Sequence, residues 1–362
     1  MVVVQILPEG WEATSFFQDQ DNFFRFKRTW QGGAGKTVPA LSRSGQAIAV
    51  ADQSLAYNAV VPLRMERENP GEPLAPLELE NMLAREAGRS FNQCRLEAAG
   101  ALQADDLDMV LMSSRVIGFR VDEHKVLNPI GFTGGKVEAV LEFVLATRPV
   151  LEQVRAIFGR EKVFFTESSR AMLRALEKVE TPPLGFLDLG AKSARFAILA
   201  PAATGEMILR GRLEWGTDLL WQPIASEWSI TETAARDIYE KLLRREVSAS
   251  MERKLRKIIK PSLDELRLRL RASRLKGKVF VRSDGKLPFV LPHMESGLRL
   301  LEPPLLKVLA NFGLGIRPSE WPWPESGIFR RLMPALEFLS ERTDSEINQW
   351  LRRHLNWLGP AG

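Results

Sequence analysis

Two glycine-containing stretches carry residue types that can hold a phosphate. Phe186-Leu187-Asp188-Leu189 reads as an apolar strand that ends in Gly190-Ala191-Lys192-Ser193 before a second strand begins. Such a hairpin can offer backbone N–H groups and the Ser193 hydroxyl to a phosphate while Asp188 holds a hydrated metal. The same residues also make a plain β-hairpin. Gln31-Gly32-Gly33-Ala34-Gly35-Lys36-Thr37 lies near the deviant Walker pattern, in which amides and a lysine cradle phosphate. The strict pattern needs glycine at Trp30 and the deviant one lysine at Gln31, and Pro39 disfavours a helix starting there, so a glycine-rich turn is expected.

Other chemistry is narrower. Cys94 is the single cysteine and His124, His293 and His354 are scattered, so the sequence builds neither an intrachain disulfide nor a zinc site. Between Lys241 and Lys278 there are fourteen Lys/Arg against four acids. That excess suits a solvated helical face or a phosphate-rich partner, but no aromatic interleaving points to nucleic acid. At the C-terminus, Ile347, Trp350, Leu351, His354, Leu355, Trp357 and Leu358 fall within an arc of about 160°, with Arg352 and Arg353 opposite. This fits a helix lying in a membrane surface, and equally a terminal helix docked on the protein body.

The elements that must position these residues follow from patterning. The 362 residues, 45% hydrophobic and 26% charged with a net charge of +5, specify about two folded domains. No run of about 18–20 apolar residues exists to span a bilayer, and the start lacks the features of an export signal. Strands are expected at 2–7, 11–17 and 23–30, forming an antiparallel meander, and again at 184–189, 194–199 and 207–213. The repetition suggests duplicated α/β architecture. Helical spacing is read over Leu77 to Phe91, 151–158, 168–179, 232–275 and 297–312. Strands are read at 108–112, 115–121, 137–146, 162–165 and 278–282, and Trp321-Pro322-Trp323-Pro324 reads as a breaker.

One stretch adds a resemblance. Asn128-Pro129-Ile130-Gly131-Phe132-Thr133-Gly134-Gly135-Lys136-Val137-Glu138, preceded by Val116-Ile117-Gly118-Phe119-Arg120-Val121, resembles the insert subdomain of the bacterial cell-division protein family FtsA. The register continues through Asp188 to Ser193, Glu214-Trp215-Gly216-Thr217-Asp218-Leu219 and Thr231 to Arg236, over roughly residues 75–245. The resemblance implies an α/β, actin-like (ribonuclease H-like) two-lobe fold with an FtsA-type α+β insert. The implied boundaries are first lobe 1–74, insert 75–148, first lobe 149–183, second lobe 184–229, basic helical subdomain 230–275, second lobe 276–314, linker 315–343 and membrane-targeting helix 344–358.

The resemblance also implies nucleotide contacts from Asp188, Gly190, Ser193, Gly216 and Gly285. Here the first phosphate loop reads Leu7-Pro8-Glu9-Gly10 without its aspartate, two glycines of the second are Ala191 and Lys192, and the adenosine loop reads Ser283-Asp284-Gly285-Lys286. ATP with magnesium is therefore not required, and catalysis is assigned to no residue. The expectation is a scaffold on the cytoplasmic face of the cell membrane at the division site, self-associating into filaments and binding no nucleic acid. It would receive the acidic C-terminal tail of FtsZ on Arg244, Arg245, Lys254 and Lys257. It would touch anionic membrane through Ile347, Trp350, Leu351, Leu355, Trp357 and Leu358 with Arg352 and Arg353. The alternatives are an active actin-like ATPase forming nucleotide-dependent filaments, or a PilM-like pilus assembly adaptor.

Overall fold

The computed structural model describes residues 1–33, 36, 46–159, 163–202, 205–273, 275–283, 298–323, 325–341 and 346–354. The chain opens with β1 (Val2–Leu7), β2 (Gly10–Gln18), β3 (Phe23–Gly33) and β4 (Ala47–Ala51). An inserted subdomain follows: β5 (Ala56–Glu66), α1 (Pro76–Leu102), β6 (Met109–Val121), β7 (His124–Val126) and β8 (Lys136–Thr147). α2 (Arg148–Phe158), β9 (Val163–Glu167) and α3 (Ser168–Glu177) return to the first lobe. The second lobe contains β10 (Leu184–Leu189), β11 (Ala194–Ala202), β12 (Gly205–Leu213), α4 (Gln222–Trp228), α5 (Glu232–Leu243) and α6 (Ala249–Ala272). It continues with β13 (Gly277–Ser283), β14 (Leu298–Leu301) and α7 (Leu305–Asn311), before β15 (Gly315–Ile316), α8 (Glu325–Glu341) and α9 (Glu346–His354).

The two lobe sheets have matching strand orders, β3-β2-β1-β4-β9 with β15 added at its edge, and β12-β11-β10-β13-β14. In each, a three-stranded antiparallel meander is extended by two strands parallel to its first. A ribonuclease H-like unit used twice is the actin-like two-lobe fold. The first strand of each unit is apolar on both faces because helices cover both sides. Val3, Ile48 and Val50 from one sheet and Phe186, Leu199 and Phe280 from the other share one core through α3 and α8. The outer face of the first sheet packs on α2, and that of the second on α4, α5 and α6.

Three boundaries differ from the sequence reading. The insert begins at β5, since Ala56 through Glu66 pair antiparallel with Ala146 through Lys136 in the insert sheet β5-β8-β6-β7. The polar loop near 70 is internal to the insert: Gly134 N–H donates to Pro70 O at 3.0 Å and Leu74 N–H to Phe132 O at 2.9 Å. Residues 297–312, read as helical, contain β14 and then α7, because four apolar residues do not distinguish a buried strand from a helix. Most of the expected linker 315–343 is core. Ile328, Leu332, Met333 and Leu336 of α8 are fully buried, and Trp321 and Trp323 stack against Phe26 at 5.7 and 5.4 Å between ring centroids. The Trp-Pro run is therefore an anchor. The basic segment is helical as read, with α5 and α6 and no strand among its described residues.

Candidate functional site at the junction of the lobes

β10 carries Asp188 to the turn at Gly190–Ser193, and the parallel register sets it directly beside Arg282 of β13. Arg282 Nη1 lies 2.5 and 2.6 Å from the two carboxylate oxygens, with both side chains largely shielded from water. A charge-assisted pair at this range occupies the lone pairs that a hydrated metal would use. The turn is closed by Gly190 N–H donating to Ser193 O at 3.2 Å. Ala191 and Lys192 carry side chains where a phosphate cradle needs bare backbone. The residues present thus do not fit a magnesium-bound nucleotide, and we derive no step through one. The opposite hairpin, Leu7-Pro8-Glu9-Gly10, supplies no aspartate at the end of β1.

Asp188, Gly190, Ser193 and Gly216 do come together. Thr217 N–H donates to Gly190 O at 3.0 Å and Asp218 N–H to Ala191 O at 2.9 Å, so the segment before α4 lies on the turn. A Cβ on Gly216 would fall inside the van der Waals radius of the Ala191 carbonyl oxygen, a backbone atom that cannot step aside alone. Gly216→Ala is expected to cost about 1–3 kcal/mol of stability by overpacking. Chemical denaturation checks this; an unchanged midpoint would remove the close approach as the reason for the glycine. Burial, with Glu232 nearby, pushes the Asp218 carboxyl above its ordinary value. Gly285 lies outside the described residues.

Sequence reasoning missed the polar cluster that joins the lobes and the insert. Glu142 of β8 is fully buried, with Arg115 at 2.6 Å, Arg170 at 3.1 Å and Arg174 at 3.3 Å. Burial alone would raise its pKa, but the three guanidinium groups outweigh that and hold the carboxyl well below the ordinary range. Arg170 also meets Glu337 of α8 at 2.9 Å, and Thr166 Oγ1 donates to Glu337 at 2.7 Å. Beside them Glu167 accepts from Ser169 N–H at 2.7 Å and pairs with Arg210 of the second lobe at 2.9 Å. Arg195 reaches Asp52 across the lobes at 3.2 Å. The available signal was a glutamate inside an otherwise apolar strand, Ala139-Val140-Leu141-Glu142-Phe143-Val144.

The C-terminal helix was expected to present its apolar face to a membrane. Instead that face is seated on the insert: Leu351 is fully buried, and Ile347 and Trp350 pack partly buried against the α1–sheet core. Asn348 fixes the seat by accepting from Val116 N–H at 2.6 Å and donating to Val116 O at 3.1 Å. The amphipathic period is the same for a helix on lipid and a helix on protein, so the pattern does not choose between them. Arg353 is exposed, while Leu355, Trp357, Leu358 and the Arg352 side chain lie outside what is described. Of the four cations assigned to a partner, Arg244 and Arg245 end α5, and Lys254 and Lys257 stand exposed on α6.

No protein-family model matches the chain, and no curated protein does. Among solved structures, a chain of a PilM–PilN type IV pilus biogenesis complex is 14% identical over 99% of this chain and 98% of that one, with a TM-score of 0.47. The ethanolamine utilization protein EutJ from Carboxydothermus hydrogenoformans is 13% identical over 49% and 59%, with a TM-score of 0.29. A Bacteroides thetaiotaomicron protein with an actin-like ATPase fold and unknown function is 8% identical over 64% and 77%, with a TM-score of 0.32. These likenesses carry no function across, and the fold rests on the strand orders given above.

Proposed function

We propose that the chain is a non-hydrolysing scaffold of the FtsA type, which holds FtsZ filaments at the cytoplasmic face of the membrane at the division site. The observation that supports it is the Asp188–Arg282 pair: the turn that handles phosphate in an actin-like ATPase survives as packing and lacks a free carboxylate. The FtsZ part of the reading rests on the resemblance of the Asn128-Pro129-Ile130-Gly131 stretch, which the insert holds at a tied loop. The acidic FtsZ tail would be received by cations of the α5–α6 subdomain, Arg244, Arg245, Lys254 and Lys257. Self-association would multiply weak attachments to the anionic membrane surface and to FtsZ.

The test mixes the full chain with FtsZ filaments and anionic vesicles, with and without magnesium ATP. FtsZ is expected to float only when the chain is present, with phosphate release at background. Phosphate release that Asp188→Asn abolishes would make the chain an active ATPase. Flotation of the chain without FtsZ would remove the division role and leave an adaptor of the pilus type.

A further inference from the structure

α6 has two unlike faces. Leu255, Ile259, Ser262, Leu266 and Leu270 are buried on one, in the core shared with α4 and α5. The opposite face carries Arg253, Lys254, Lys257, Lys260 and Arg271, all exposed, and at about 100° per residue they occupy an arc of about 120°. They extend about 27 Å along the helix at its ordinary rise. The three acids of α6 are already engaged by other arginines: Glu252 with Arg256, Asp264 with Arg267 and Glu265 with Arg269. Among the described residues the five outer cations make no ion pair. Leu268 stands 64% exposed within the same arc.

We infer that this outer face of α6 is the surface by which the protein lies on an anionic lipid bilayer. The inference rests on the membrane part of the function proposed above and moves the contact from the C-terminal helix to the second lobe. A long row of uncompensated charge matches a plane of anionic headgroups, and lysine's flexible stem lets each ammonium follow a fluid surface. Leu268 sits where it would enter the headgroup layer between the cations. An acidic peptide needs a groove or a free strand edge to fix its backbone. The cleft between insert and second lobe, about 430 Å³, is lined by Phe119, Lys125, Arg174 and Pro201 and by no residue of this row. A nucleic acid would use aromatic faces for stacking, and α6 contains no aromatic residue.

The test is sedimentation of the full chain with vesicles of phosphatidylcholine alone or mixed with phosphatidylglycerol, in the absence of FtsZ. Binding is expected only to the mixed vesicles and to fall steeply with added salt. Reversing Lys254, Lys257 and Lys260 to glutamate together is expected to weaken it by about a hundredfold or more. Reversing the exposed Lys27 and Lys125 instead should leave it nearly unchanged, and Leu268→Ser should weaken it while leaving its salt dependence intact. Thermal unfolding of each variant verifies folding. Vesicle binding equal to wild type in the triple variant would overturn the inference, as would equal binding to neutral vesicles. If the triple variant keeps lipid but loses an acidic peptide or RNA, the face belongs to that partner. Intact vesicle binding with no FtsZ co-flotation would sink the scaffold reading and leave this one standing.

Discussion

Replacing Glu142 with alanine is expected to lower the free energy of unfolding by about 3–5 kcal/mol, the usual cost of removing one partner from a buried ion cluster. The carboxylate is shared by Arg115, Arg170 and Arg174, so its loss leaves guanidinium groups from the insert and from α3 facing one another without their common anion. Arg170 retains Glu337, which limits the damage on that side. A second change, Arg174→Met, should recover part of the loss, because it removes one of the stranded charges. The pH dependence has a fixed sign. The folded carboxyl titrates well below the ordinary 4.5, so its contribution is complete above that value and disappears as pH falls toward the folded pKa. In Glu142→Gln the decline of stability below pH 4.5 should therefore be shallower than in wild type. Urea denaturation across acid pH measures both effects; a Glu142→Ala cost below about 1 kcal/mol would mean that the arginines find water instead.

What could be read in advance divides by the range of the interaction. The two meanders were legible because Val2–Leu7 and Leu184–Leu189 are short apolar runs bounded by turn residues, and both pair with their nearest neighbours in sequence. The insert was recognisable by its Asn-Pro-Ile-Gly stretch, but its first strand was not, since β5 reaches its partner β8 across α1 and β6. The same limit hid the chemistry of the phosphate turn. Asp188 was readable as a carboxylate at a strand end, whereas its neutralisation by Arg282 depends on parallel pairing between strands 94 residues apart. α8 had the right period, with Ile328, Leu332 and Leu336 spaced by four, yet Pro334 and the preceding Trp-Pro run read as punctuation. The helix tolerates that proline and buries the apolar positions around it. The C-terminal helix is the complementary case, in which its existence was legible and its neighbour was not.

Asn348→Ala is expected to loosen α9 without touching its apolar face, and its effect decides what that face is for. The substitution leaves the Val116 N–H and C=O buried beside β8 with no side-chain partner, a loss of about 1–3 kcal/mol. Local opening of α9 should then become about tenfold to a hundredfold more frequent, which hydrogen exchange at the Val116 amide reads directly. Leu351→Asp should go further, since a charge cannot remain at a position with no exposure, and exchange across 346–354 should approach that of a free segment. The two variants separate storage from structure. If α9 were a membrane helix parked on the insert, the looser seat in Asn348→Ala would increase vesicle binding, because the intact apolar face would be more often available. With the membrane contact on α6, vesicle binding should stay within about twofold of wild type while Val116 exchange accelerates. Slow exchange at Val116 in both variants would show that the seat is held by Ile347 and Trp350 rather than by the asparagine and the leucine at its centre.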